Sequence, residues 1–251
     1  WLFHPLMSAG SREGCMLKEE GDSKQGIRQM FGRISGRYDL MNKLITMGME
    51  GRWKRLVARL AASPGQSMLL DVGAGTGGIA LEARRINPSL EVIALDFSIP
   101  MMEKGRLKEM GATIGWCAGD ALNLPFGDMI FDAVTSGYLI RNVPGPLLAF
   151  KEQYRVLRPG GRVVCLDTSP PGSARLAPAV KWYLRLVIPM LGSLIAGDRS
   201  AYCYLASSTE SFMTPEEVAG IMTKAGFENV RYWPQMLGTQ MILTGIRPEA
   251  D

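Results

Sequence analysis

The stretch Leu69 to Ala80, LLDVGAGTGGIA, limits what this chain can fold into more than any other. An apolar run closes on an aspartate, and Gly73, Gly75, Gly77 and Gly78 follow directly. Such a run reads as a strand leaving a sheet, a glycine turn and the start of a helix, which brings main-chain amides up to a ligand. Two spacings are satisfied at once. Gly73, Gly75 and Gly78 fit the G-x-G-x-x-G of a dinucleotide site, while Asp71, Gly73, Gly75 and Gly77 fit the D-x-G-x-G-x-G of a methyl-donor site. Asp96, which closes the next apolar run EVIALD, fills the acidic position that accepts ribose hydroxyls in either case. The loop alone therefore leaves both cofactors open, with a tight structural turn as a third reading.

The rest of the chain repeats the strand-then-helix rhythm. MLLDV, EVIALD, ATIGWCAG, FDAVTSG and GRVVCLD are short apolar runs separated by segments of helix length. This predicts an α/β fold of the Rossmann-like kind, a mostly parallel sheet with helices on both faces. The helix punctuation agrees: Ser98 and Pro100 open one helix that should run to Gly111, and Thr214, Pro215 and Glu217 form a capping box for another that stops at Gly226. The final runs NVRYW and QMILTGI read as a strand pair closing the sheet edge.

Three regions lie outside this rhythm. Residues 1–24 mix apolar, Gly and charged residues without a period and lack a secretory pattern, so they read as a flexible lead or an incomplete gene start. Residues 25–62 read as an N-terminal helical cap on a domain over 63–247. An apolar insertion at about 175–208 carries Lys181, Arg185 and Pro189, which suits a helical lid better than a membrane span.

Composition closes off several chemistries. The single histidine, His4, sits in the lead, so no histidine metal site, triad or acid-base pair is expected in the body. Cys15, Cys117, Cys165 and Cys203 are too scattered for a zinc knot or a disulfide framework, and no metal is expected. A net charge of +4, with 28 basic residues dispersed among 24 acidic ones, does not suggest nucleic acid. A cytoplasmic protein is expected.

Further motifs favour the methyl donor. GDALNLPF, residues 119–126, resembles the segment where class I methyltransferases set an acid-small pair against adenine, and RVLRPGGRVV, residues 155–164, resembles the turn into their fifth strand. RYDLMN at 37–42 with RWKR at 52–55, FDAVTSGYLIRNV at 131–143, and IAGDRSAYCYLASSTESF at 195–212 together resemble the ubiE/COQ5 family of C-methyltransferases. That resemblance covers roughly residues 28–246. It implies a seven-stranded class I methyltransferase fold, S-adenosylmethionine as cofactor, and methylation of the ring of a prenylated quinol, either a demethylmenaquinol or a ubiquinone precursor. Carried onto this chain, it implies a donor site made of Asp71, Gly73, Gly75, Thr76, Gly77, Asp96, Phe97, Asp120, Ala121 and Gly137.

A ring carbon is methylated best when a neighbouring hydroxyl is ionised, so a cation near the acceptor is needed, and Arg141 is the candidate with Asn142 beside it. Tyr38 and Tyr202 are further catalytic candidates, and Asp39 and Tyr204 weaker ones for the acceptor pocket. Where the family has Gly shortly before Arg-Asn, this chain has Leu139, which adds bulk near the acceptor. Another phenolic or lipid acceptor, or a non-catalytic scaffold that binds the donor within a lipid-synthesis complex, stays open as an alternative. An apolar stripe at Trp182, Tyr183, Leu186, Val187, Met190 and Leu194 suits peripheral docking at the inner membrane face, burial, or a homodimer contact.

Overall fold

The computed structural model of the chain describes residues 24–62, 65–171 and 177–249. The lead expected over 1–24, with His4 and Cys15, lies outside the described residues apart from Lys24. Three helices, α1 (Lys24–Ile34), α2 (Tyr38–Ile45) and α3 (Glu50–Ala61), precede the first strand. The strands are β1 (Met68–Val72), β2 (Glu91–Asp96), β3 (Gly115–Ala118), β4 (Phe131–Gly137), β5 (Leu157–Thr168), β6 (Glu228–Gln235) and β7 (Gln240–Ile246). They form one sheet in the order β3-β2-β1-β4-β5-β7-β6.

Strands β1 to β5 run parallel, and β7 is antiparallel to both its neighbours. Helices α4 (Gly78–Ile86), α5 (Ile99–Arg106), α6 (Pro146–Val156) and α9 (Pro215–Lys224) cover the faces. Because successive strand residues face opposite sides, Leu69 joins a core with Trp53, Val57 and Ala80, while Leu70 joins another with Phe150 and Phe227. Both faces being covered, the parallel strands are near-continuous apolar runs, which is what makes them legible.

The final strand pair closes one edge of the sheet as expected, with β7 inserted between β5 and β6 and β6 outermost. QMILTGI is buried along almost its whole length, whereas NVRYW lies in a strand mostly open to water, so the more apolar run takes the inner place. One expectation needed adjustment. Helix α5 ends at Arg106, short of Gly111, which instead opens a separate short turn where any side chain would collide with the Gly105 carbonyl. The Thr214–Glu217 capping box is formed.

The segment after β5 contains a long helix, α7 (Pro178–Ala196), widened into π-type turns at Tyr183–Val187 and Gly192–Ala196. A turn at Gly197, with φ of +71°, leads to α8 (Arg199–Glu210), capped by the Asp198 carboxylate. Leu184 and Ile188 of α7 and Tyr202 of α8 pack on Met30 and Ile34 of α1 and Met41 of α2. The opposite row of α7, Trp182, Leu186, Met190 and Leu194, is exposed. By length and composition α7 could cross a membrane, yet its inner row is committed to this helical layer.

Candidate active site

The strand order reverses at β1, since β2 and β3 lie on one side and β4 and β5 on the other. The loops leaving β1 and β4 therefore part, and a crevice opens at their carboxyl ends. Both loops are built to enter it. Gly73, Gly75 and Gly77 take φ values of +68°, +56° and +74°, a left-handed backbone that costs other residues about 1 kcal/mol or more each. At Gly77 a Cβ would also lie 2.6 Å from the Trp116 ring.

Two buried carboxylates fix the turn. Asp96 accepts hydrogen bonds from the amides of Gly75 and Ser98, each at 2.7 Å. Ser98 occupies the N-cap position of α5 as expected, but its side chain makes no capping bond. Burial pushes the Asp96 carboxyl above its ordinary value against the pull of these amides. Asp71 accepts from the Thr135 hydroxyl at 2.8 Å and the Ala80 amide at 3.1 Å. Burial drives it up to about 7, opposed by those bonds and by Lys54.

The N-terminal helices are pinned to this loop. Thr76 donates its hydroxyl to Asp39 at 2.8 Å, and Lys108 reaches Thr76 at 2.8 Å and Asp39 at 2.5 Å. Thr76 and Asp39 are thereby committed to one another. Tyr38, the residue before Asp39, lines a small pocket of about 30 Å³ together with Lys54, Asp71, Gly73, Gly137 and Tyr138. It stands on the glycine-loop side of the site. Lys54 was absent from the sequence candidates; its only signal is its place in RWKR, because α3 buries Trp53, Val57 and Ala61 and periodicity gives Lys54 no role.

At the end of β4, Tyr138 adopts φ of +57°, a strained conformation for a bulky residue, and redirects the chain into a short helical turn, Ile140–Asn142. The bulk of Leu139 falls on the glycine loop: a Cβ on Gly73 would sit 2.8 Å from its Cδ1. Leu139 and Asn142 line a cleft of about 920 Å³ with Phe97, Asp120 and Ala121, and α1 contributes the opposite wall. Asp120 turns back to accept the Leu122 amide at 3.0 Å.

Arg141 points the other way, into a cavity of about 660 Å³ walled by Pro189 of α7 and Cys203, Tyr204 and Ser207 of α8. Its Nε lies 3.6 Å from the fully buried Asp167, its Nη1 donates to Thr209 at 3.1 Å, and its guanidinium stands 5.5 Å from the Tyr138 ring centre. Asn142 donates to the Tyr138 carbonyl at 2.7 Å and accepts from the Tyr204 hydroxyl at 3.2 Å. The site thus brings Arg141, Asn142 and Tyr204 together. Tyr202 is left out, buried with its ring against Gly192 in the helical layer. Among the described residues no group of three or more His, Cys, Asp or Glu is placed to hold a metal.

A sheet of this order, parallel but for β7, with a left-handed glycine loop and an acid closing β2, defines the class I methyltransferase fold. The sequence profile of the ubiE/COQ5 methyltransferase family matches residues 17–247, and the chain belongs to that family. The ubiquinone/menaquinone biosynthesis C-methyltransferase of Desulfotalea psychrophila is 46% identical over 88% of this chain and 90% of its own length. The demethylmenaquinone methyltransferase of Roseiflexus castenholzii is 38% identical over 88% of this chain and 93% of its own. Among solved structures, a Haemonchus contortus phosphoethanolamine N-methyltransferase with S-adenosylhomocysteine bound shares the fold, with a TM-score of 0.59 and 17% identity over 78% of this chain and 52% of that one.

The Asp71 carboxyl makes a prediction about stability. The folded protein keeps its proton up to about pH 7, whereas an unfolded chain releases it near 3.8. The folded state binds the extra proton in that window, so stability falls as pH rises from about 4 to 7. Asp71→Asn, which can keep both hydrogen bonds, should flatten the fall. Urea midpoints at pH 5 and pH 8 measure it, and an equal drop in both proteins would contradict the assignment.

Proposed function

We propose that this protein transfers the methyl group of S-adenosylmethionine to a ring carbon of a prenylated quinol in quinone biosynthesis. The observation that carries the reading is the crevice between β1 and β4, where a donor-type glycine loop and the Arg141-Asn142 turn meet within one family's sequence pattern. The residues suit the donor: no side chain projects from Gly73, Gly75 or Gly77, and Phe97, Asp120 and Ala121 line a cleft wide enough for a nucleoside. When bound, S-adenosylmethionine supplies a methyl already activated on a sulfonium sulfur. Asp96 holds the loop and takes the ribose hydroxyls, and Asp120 with Ala121 flanks the adenine.

For the acceptor, the chain has to position a ring carbon and exclude water. Arg141 stabilises the ionised hydroxyl next to that carbon, with Asp167 and Thr209 fixing the guanidinium, and Asn142 orders the same turn. The methyl group becomes bonded to the ring as the carbon–sulfur bond breaks, and the ring proton passes to water. Neither a different acceptor class nor a non-catalytic scaffold has an observation in its favour.

The test is transfer of labelled methyl from S-adenosylmethionine to a short-tailed demethylated naphthoquinol or benzoquinol; a protein that binds donor but labels neither quinol would refute the reading. Arg141→Lys is the informative variant, because removing the cation altogether would leave Asp167 buried without a counter-charge. Its turnover at pH 7 should fall about tenfold or more, on the scale of ~1.4 kcal/mol per tenfold, with donor affinity unchanged. The defect should shrink as pH nears the ~10 of a free phenol. A rate equal to the unmodified protein's would make Arg141 only a brace for the loop.

A bilayer-dissolved acceptor also gives the exposed row of α7 a purpose. Trp182 and Leu194, 61% and 75% exposed, would rest at the lipid surface with Lys181 and Arg185 at the headgroups. Vesicles containing anionic lipid should bind the protein, and Leu186→Glu with Leu194→Glu should abolish binding while leaving the labelling of a short-tailed quinol intact. Unchanged vesicle binding in the double variant would assign the row to another contact, such as a second copy of the chain.

A further inference from the structure

One side chain beside the exposed row of α7 has a partner that the scheme above leaves unused. Arg185 is 69% exposed, yet its Nε donates to both carboxylate oxygens of Glu210 at 3.0 Å and its Nη2 to one of them at 2.7 Å. Glu210 closes α8 and is only 14% exposed. The two helices are joined at Gly197, so this ion pair ties them together at the end of the hairpin remote from the bend. Arg185 also stands in the π-type turn Tyr183–Val187, where the helix is already widened.

The pair stands on the solvent side of the cavity that holds Arg141. Arg185 and Glu210 both line it, and Cys203, Ser207 and Glu210 follow one another at helical spacing along the α8 face that walls it. Arg141 itself is 8% exposed, so an acceptor reaches its guanidinium through this space. Leu184 and Ile188 of α7 share an apolar cluster with Tyr202 and Leu205 of α8, which keeps the helices together along their inner sides. What the ion pair governs is their separation beyond that cluster, where the cavity meets water.

An anionic surface is suited to undo this tie. From Pro178 to Ala196, α7 carries Lys181 and Arg185 and no acidic residue, so its exposed side is attracted to lipid phosphates. An ion pair made in water is weak and yields to a competing anion. Once deprived of the guanidinium, the largely covered Glu210 carboxylate has to draw water, which it gains as the end of α8 parts from α7. Resting on the acceptor and docking readings above, we propose that the Arg185 side of α7 binds anionic lipid headgroups, which take Arg185 from Glu210 and open the cavity before Arg141 to a quinol. The protein then turns over slowly in water and faster at an anionic membrane.

Transfer of labelled methyl to a water-soluble short-tailed quinol reads the rate, and attachment of a bulky maleimide to Cys203, followed by peptide mass, reads the opening without substrate. Phosphatidylglycerol vesicles should raise the rate of the unmodified protein about three- to tenfold, while phosphatidylcholine vesicles and inorganic phosphate leave it within about twofold. Glu210→Gln, which keeps the shape and removes the charge, should approach the stimulated rate without vesicles and gain less than about twofold from them. Its Cys203 should label at least about threefold faster. Arg185→Gln breaks the pair from its exposed side, should behave alike, and decides the matter if the first variant does not fold. No stimulation of the unmodified protein, stimulation by inorganic phosphate as large as by vesicles, or Cys203 labelling unchanged in both variants overturns the assignment. A protein that methylates no quinol refutes the functional reading instead, and Cys203 labelling still decides whether the pair holds the cavity closed.

Discussion

The Asp96 carboxylate accepts the amides of Gly75 and Ser98 at 2.7 Å each, and so ties the loop after β1 to the end of β2. Three left-handed glycines would otherwise be free to sample many turns. Because the carboxylate is buried, these bonds are made in a low-dielectric setting and hold the loop open ahead of any ligand. Much else depends on that fixed turn. It carries Thr76 to Asp39 and Lys108, which seats the N-terminal helices, and it leaves Gly73 bare beneath Leu139.

The second loop, after β4, is held by a different device. Tyr138 takes a strained φ, Asn142 ties back to its carbonyl, and the Arg141 amide and side chain both meet Asp167. A buried guanidinium and carboxylate in contact seldom add net stability, but they fix an orientation. Here the orientation turns Arg141 toward the cavity under α7 and α8 while Asn142 faces the cleft lined by Phe97, Asp120 and Ala121. Two adjacent residues thus look into two different spaces.

The central sheet was legible because parallel strands buried on both faces are written as unbroken apolar runs, and MLLDV, EVIALD and FDAVTSG coincide with β1, β2 and β4. The donor loop was equally legible, since left-handed turns demand glycine. Side-chain partners were not. Ser98 was legible as the N-cap residue of α5 from its type, but neither its missing side-chain bond nor the Asp96 carboxylate that accepts its amide could be read from the sequence. Leu139 was visible as bulk, yet only the tertiary path of the β4 loop sets that bulk over Gly73. The position of Lys54 carried no signal from periodicity, because it meets the first turn of α4 only where α3 crosses it, a contact between segments apart in sequence.

A crystal structure with S-adenosylhomocysteine bound tests the central claim most directly. The nucleoside should lie in the cleft of Phe97, Asp120 and Ala121, with its ribose at Asp96, its amino-acid end passing Gly73, and the Gly75 amide still bonded to Asp96. A ligand lying elsewhere, or a loop that must break the Asp96 bonds and refold to admit it, would contradict the account.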